Sequence, residues 1–230
     1  MDDPVIVLYR SIEALIGAFQ RNPFNFLYEA DLRGTLLHLL TLAFGDTSDI
    51  EMRGGYHDSA AYGGNMIIRT TPAKSEYPTG EGLERFDVAI IDRGAVRHYD
   101  QAFWEARRFK NDAFWNQPVR AAVELKYCQL GQGLPSQCEA TNDDAEKLWS
   151  YLGKAEREHR RFLGVAMLFV QSSKTLDTIP FSNQEDRIER DPQEGIVKYL
   201  ATPSECYRFT HSKLRGFGAV PPGGGTVTTF

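Results

Sequence analysis

Apolar positions near the start of the chain recur every three or four residues: Val5, Leu8, Tyr9, Ile12, Leu15, Ile16 and Phe19. That spacing lines them along one face of a helix, so residues 4–19 are predicted helical. Asp3 before Pro4 supplies a start signal, because aspartate accepts from free N–H groups and a first-turn proline loses no hydrogen bond. Asn22-Pro23 repeats the signature and opens a second predicted helix, running to Phe44 before Gly45. Leu32, Leu36, Leu39, Leu40 and Ala43 form its apolar stripe. The very short connection predicts a hairpin or a sharply bent pair.

The period then changes. Residues 50–56 and 66–70 are short candidate strands on either side of the glycine-rich Tyr62-Gly63-Gly64-Asn65. Residues 85–92 (RFDVAIID) are rich in β-formers and end at Arg93-Gly94, a turn signal. Residues 119–127 (VRAAVELKY) are apolar almost to their end, as suits a strand covered on both faces. Thr141 or Asn142 is expected to cap a helix through about Arg161, with Ala145, Leu148, Trp149 and Leu152 on one face. Residues 162–171 (FLGVAMLFVQ) are the most apolar strand, followed by a polar helix near 182–190 and strands near 195–201 and 207–210.

The strand–helix–strand unit over residues 119–171 predicts a right-handed crossover and a parallel pair. The expected fold class is α/β (α+β): a mixed central sheet flanked by helices, with an N-terminal helical pair. Residues 1–215 read as one domain, with 93–118 inserted between core strands. The Pro-Pro-Gly-Gly-Gly stretch opens a tail (216–230) expected to be flexible.

Composition narrows the class. A hydrophobic fraction of 42% with 25% charged residues describes an ordinary globular chain. No apolar run approaches the ~20 residues that span a bilayer, so no membrane association is expected. The first residues are acidic rather than basic, and the three cysteines are an odd number. Both favour a cytoplasmic protein without a disulfide framework. The formal net charge of -5 means that any nucleic-acid contact must come from a local basic patch.

Candidate chemistry lies where charge interrupts apolar strands. Asp87 sits among Phe86, Val88, Ala89 and Ile90, while Glu124 and Lys126 are one residue apart near the end of the next long strand. A period of two turns both of these side chains to one face. Ionisable groups there are costly to bury without a partner or a purpose. The structural alternative is a simple Glu124–Lys126 pair at a strand end.

Arg85-Phe86-Asp87-Val88-Ala89-Ile90, followed by Val123-Glu124-Leu125-Lys126-Tyr127, resembles the PD-(D/E)xK, or restriction-endonuclease-like, nuclease superfamily. Tyr28-Glu29-Ala30-Asp31-Leu32-Arg33 resembles its preceding helix, and Asp144-Ala145-Glu146-Lys147-Leu148 the helix after the triplet. The likeness spans about residues 23–170, with Phe86 in place of the proline of the name. It implies a metal-dependent nuclease hydrolysing phosphodiester bonds, with DNA the expected substrate and Mg2+ or Mn2+ the cofactor. Asp87, Glu124, the Leu125 backbone carbonyl and Glu29 are then the implied metal ligands. Lys126 would orient or deprotonate the attacking water and steady negative charge. A catalytically inactive protein of the same fold that binds nucleic acid or a protein partner is the alternative. Endonucleases that cut both strands are often dimers, so a homodimer is compatible.

Three further groups carry two readings each. Glu29 faces inward with Arg33 and Leu36, as a ligand or as half of an i,i+4 pair with Arg33. Arg107, Arg108 and Lys110, interleaved with Phe103, Trp104 and Phe109, would contact nucleic acid or form the solvated back of a packed helix. Lys147 and Asp144 would join such contacts or serve as ordinary helix-start charges. The cysteines and histidines lack zinc-ligand spacing, and no serine has a nucleophile-elbow context.

Overall fold

A computed structural model describes residues 3–44, 73–78, 85–92, 118–172 and 192–210. The predicted strands at 50–56 and 66–70, the body of the 93–118 insertion with Arg107, Arg108 and Lys110, the helix near 182–190 and the tail lie outside them.

Helix α1 spans Pro4–Arg21, and Asp3 caps it by accepting from Val5 N–H at 2.8 Å. A single 3-10 turn, Pro23–Asn25, separates it from α2, Glu29–Phe44. The second helix therefore begins six residues after the proline that was expected to open it, since 29 − 23 = 6. The cause is local. Asp31, in the first turn of α2, reaches back to accept from Leu27 N–H (2.7 Å) and Tyr28 N–H (3.0 Å), setting the start there. Tyr127 holds the link down by donating its hydroxyl to Phe26 O at 2.5 Å.

Six strands follow among the described residues: β1 Ala73–Pro78, β2 Arg85–Ile91, β3 Val119–Cys128, β4 Leu163–Val170, β5 Gly195–Ala201 and β6 Cys206–Thr210. They form one mixed sheet in sequential order, antiparallel from β1 to β3, parallel from β3 to β5, and antiparallel again at β6. The protein is thus a mixed α/β fold, its sheet flanked by helices. β1 was not foreseen, because Lys74, Ser75 and Glu76 interrupt any apolar alternation and Pro78 ends it; such a sequence suits a sheet edge.

The long helix after β3, α3, runs over Leu134–Arg157. It starts well before the expected Thr141 or Asn142. Leu134, Cys138, Thr141, Ala145, Leu148, Leu152 and Ala155 alternate spacings of four and three, so one buried stripe reaches back to Leu134. Thr141 is no cap; its hydroxyl donates to Gln137 O one turn earlier at 2.7 Å. The helix ends before the expected Arg161 because His159 takes a left-handed φ of 54°. Arg160 N–H then donates to Ala155 O, and His159 N–H to Glu156 O, both at 2.9 Å, closing the last turn.

Helices cover the sheet on both faces. On one, α1 and α2 pack Phe19, Leu15, Leu36 and Leu40 against Val88, Val123, Leu125, Val165 and Met167. On the other, α3 lays Ala145, Leu148 and Leu152 on Ala89, Ala122 and Ala166. Gly164 of β4 faces α3, and a Cβ there would stand 2.5 Å from Ile196 Cδ1 and 3.0 Å from Leu148 Cβ. The bare glycine lets the helix lie close. No helix among the described residues is long and apolar enough to cross a membrane.

Candidate active site

The antiparallel register of β2 and β3 is recorded from Ile91↔Val119 to Val88↔Val123. One residue beyond Val88, Asp87 takes over the role of ladder partner: its Oδ2 accepts from Leu125 N–H at 2.8 Å. The carboxylate is therefore fixed to the backbone of the Glu124-Leu125-Lys126 triplet itself. A strand residue sends its N–H and C=O to the same edge, so the Leu125 carbonyl faces the Asp87 side as well. Arg33 of α2 holds the other oxygen, Oδ1, at 3.2 Å and also pairs with Glu76 of β1.

Glu124 and Lys126 project under α3, as the strand period requires. Glu124 is almost wholly enclosed, its side chain 3% exposed, and its Oε1 lies 2.6 Å from Lys147 Nζ. The two charges stand at hydrogen-bonding distance in a spot shut off from water. Burial, with Asp87 and Asp144 adding to it and Lys147 opposing, pushes the Glu124 carboxyl up to about 8. The Lys126 ammonium sits 2.9 Å from Asp144 Oδ2 and 3.8 Å from Glu29 Oε2. Burial pulls its pKa down, but Asp144, Glu29 and Asp87 outweigh that and raise it, so the ammonium stays charged. Burial likewise raises the Glu29 carboxyl, against the pull of Lys126.

Four elements meet here: α2 with Glu29 and Arg33, β2 with Asp87, β3 with Glu124 and Lys126, and α3 with Asp144 and Lys147. All four residues expected at the catalytic centre are brought together. Glu29's ion partner is Lys126 of β3, while Arg33 reaches Glu76 and Asp87, so the expected i,i+4 alternative is not the pairing formed. Lys147 points into the site, its side chain 17% exposed and its Nζ also donating to Arg85 O at 2.8 Å. Arg33 and Asp144 also belong to the site. Asp144 is marked in the sequence by its i,i+3 spacing to Lys147 in a helix that follows the triplet strand, and Arg33 by its i,i+4 spacing to Glu29, but neither spacing shows the partner each one takes. The inserted residues leave β2 and rejoin β3 where Asp92 N–H donates to Pro118 O (2.8 Å), at the opposite end of the strand pair from Asp87.

The donors suit a hard divalent cation: two carboxylates and a backbone carbonyl at one strand fork, with further carboxylates whose mutual repulsion such an ion relieves. Among the described residues, no three acidic, histidine or cysteine side chains already stand at ligand spacing. Each main carboxylate instead has an internal cation beside it: Lys147 at Glu124, Arg33 at Asp87, Lys126 at Asp144. Comparison with protein-family models, with curated proteins and with solved structures gives no match.

Proposed function

We propose that the protein is a divalent-metal-dependent nuclease of the PD-(D/E)xK kind, hydrolysing phosphodiester bonds, with DNA as substrate and Mg2+ or Mn2+ as cofactor. The carrying observation is the Asp87 Oδ2 bond to Leu125 N–H, which ties the aspartate of one strand into the triplet of its neighbour. The resemblance implies that geometry, together with an acidic residue from the preceding helix, here Glu29. The chain order helix α2, strands β1 to β3, helix α3, strand β4 further supports a restriction-endonuclease-like core.

When bound, the ion would polarise a phosphoryl oxygen and lower the pKa of a water nucleophile. Asp87, Glu124 and the Leu125 carbonyl would hold it, with Glu29 as a further ligand or water contact. Lys126, kept charged by Asp144 and Glu29, orients the attacking water and steadies negative charge on the phosphoryl oxygens. Asp144 fixes where that ammonium points. Asp87 is held at both oxygens, by Leu125 N–H and by Arg33, and so needs little reorganisation.

The test is cleavage of labelled single- and double-stranded DNA and RNA by the full chain with Mg2+ or Mn2+, against a chelator control. Asp87→Ala and Lys126→Ala are expected to abolish turnover, and Lys126→Ala to retain metal binding. Cleavage that survives both substitutions would sink the assignment. A second reading, a catalytically silent protein of this fold that binds nucleic acid or a partner protein, draws on the internal cations already matched to the carboxylates. Metal-independent nucleic-acid binding without turnover would favour it.

A further inference from the structure

Lys147 is fastened inside the site at three points. Its Nζ stands 2.6 Å from Glu124 Oε1 and 3.7 Å from Asp144 Oδ1, and donates to Arg85 O at 2.8 Å. The ammonium also lies 6.0 Å from the centre of the Phe86 ring. Glu124 Oε1 is shut off from water, and Lys147 is the cation beside it. The ammonium balances the buried carboxylate with a single positive charge. A buried carboxylate in that condition has more to gain from a better-matched cation than a solvated one does.

We propose that Lys147 is a built-in counter-cation that occupies Glu124 until a divalent metal ion displaces it. The inference rests on reading Glu124 as a metal ligand. Two cations on one buried carboxylate repel each other, so metal entry favours withdrawal of the ammonium. It has somewhere to go: Asp144 and the Arg85 carbonyl are already within its reach, and a lysine stem swings through several rotamers. Lys126 is not the equivalent ion, because its nearest carboxylates are Asp144 and Glu29. The metal-free protein thereby avoids a bare buried charge at Glu124, at the expense of weaker metal binding.

Calorimetric titration of the full chain with Mn2+, at pH 8 and without nucleic acid, separates the possibilities. Lys147→Gln and the stem-matched Lys147→Met are expected to bind the ion about tenfold more tightly than wild type, roughly 1.4 kcal/mol. Lys147→Arg, which keeps the charge, should stay within about twofold, a shift of roughly 0.4 kcal/mol. Glu124→Gln should weaken binding by at least about tenfold. If both neutral variants bind no tighter while Glu124→Gln still weakens binding, the counter-cation role is wrong and the nuclease reading stands. If neither wild type nor the neutral variants bind the ion, both fall together. Thermal melts confirm that each variant is folded, and Lys147→Met carries the test should Lys147→Gln not fold.

Discussion

Beneath α1 and α2, β3 contributes Ala121, Val123, Leu125 and Tyr127, all within one apolar cluster. Beneath α3 the same strand contributes Ala122, Glu124 and Lys126, of which Ala122 packs and the other two carry charge. The first face is filled by large side chains such as Phe19, Phe169 and Leu36. The second is lined by small ones, Ala122, Gly164 and Ala166, so α3 approaches closely. Its Leu148 lies over Gly164, and Tyr151 Oη accepts from Val119 N–H at 3.3 Å. One turn back along the helix, Lys147 and Asp144 reach Glu124 and Lys126. Both faces bury apolar side chains, Phe86, Tyr151 and Phe162 among them on the α3 side, but only the α3 side also aligns charges on β3.

That division can be broken one face at a time. Phe19→Ala, on the packed face, removes a ring that stacks edge-on at 5.0 Å from Phe169 and should cost about 3–5 kcal/mol in denaturant unfolding. A loss under about 1 kcal/mol would mean that this face is not the main store of stability. Lys126→Ala, on the charged face, should lower metal-dependent turnover by about 10²-fold or more. Its melting temperature should move by only a few degrees, and a collapse of the fold would show that the ion cluster is structural.

Gly164→Ala tests what joins the two functions. The added methyl must push Leu148 or Ile196 aside, costing about 1–3 kcal/mol, and should lower turnover through α3 although residue 164 carries no charge. Unchanged turnover at reduced stability would uncouple helix position from the site.

The smallest effect is a pH dependence. The Glu124 carboxyl is raised to about 8 in the fold from an ordinary 4.5, so the folded state holds its proton more tightly than the unfolded one. Its contribution to stability is full below 4.5 and is lost as pH rises through about 8. Glu124→Gln, neutral throughout, should therefore gain a few degrees in melting temperature over wild type between pH 5 and pH 9, in chelator. A difference that stays flat across that range would show that the buried charge costs nothing.

Much of this was legible in the chain. The helical period of residues 4–19 and the dense β-formers of 85–92, 119–127 and 162–171 give α1, β2, β3 and β4 to within a residue or two at each end. The parallel β3–β4 pair follows from the helix between them. Helix ends were harder to read, because they hang on single contacts: Asp31 reaching back to Leu27 and Tyr28, or His159 turning left-handed. Edge strand β1 escaped notice because its register comes from β2 and not from its own polar sequence.

For the site, sequence alone determined that Glu124 and Lys126 share a face and that Asp87 interrupts an apolar strand. Both follow from the two-residue period and from residue type. What tertiary structure decided is which charge answers which: Lys147 at Glu124, Asp144 at Lys126, Arg33 at Asp87. Those pairings depend on where α2 and α3 cross the strand ends. Distant packing at Gly164 and Phe19 sets those crossings, and a local repeat carries no record of it.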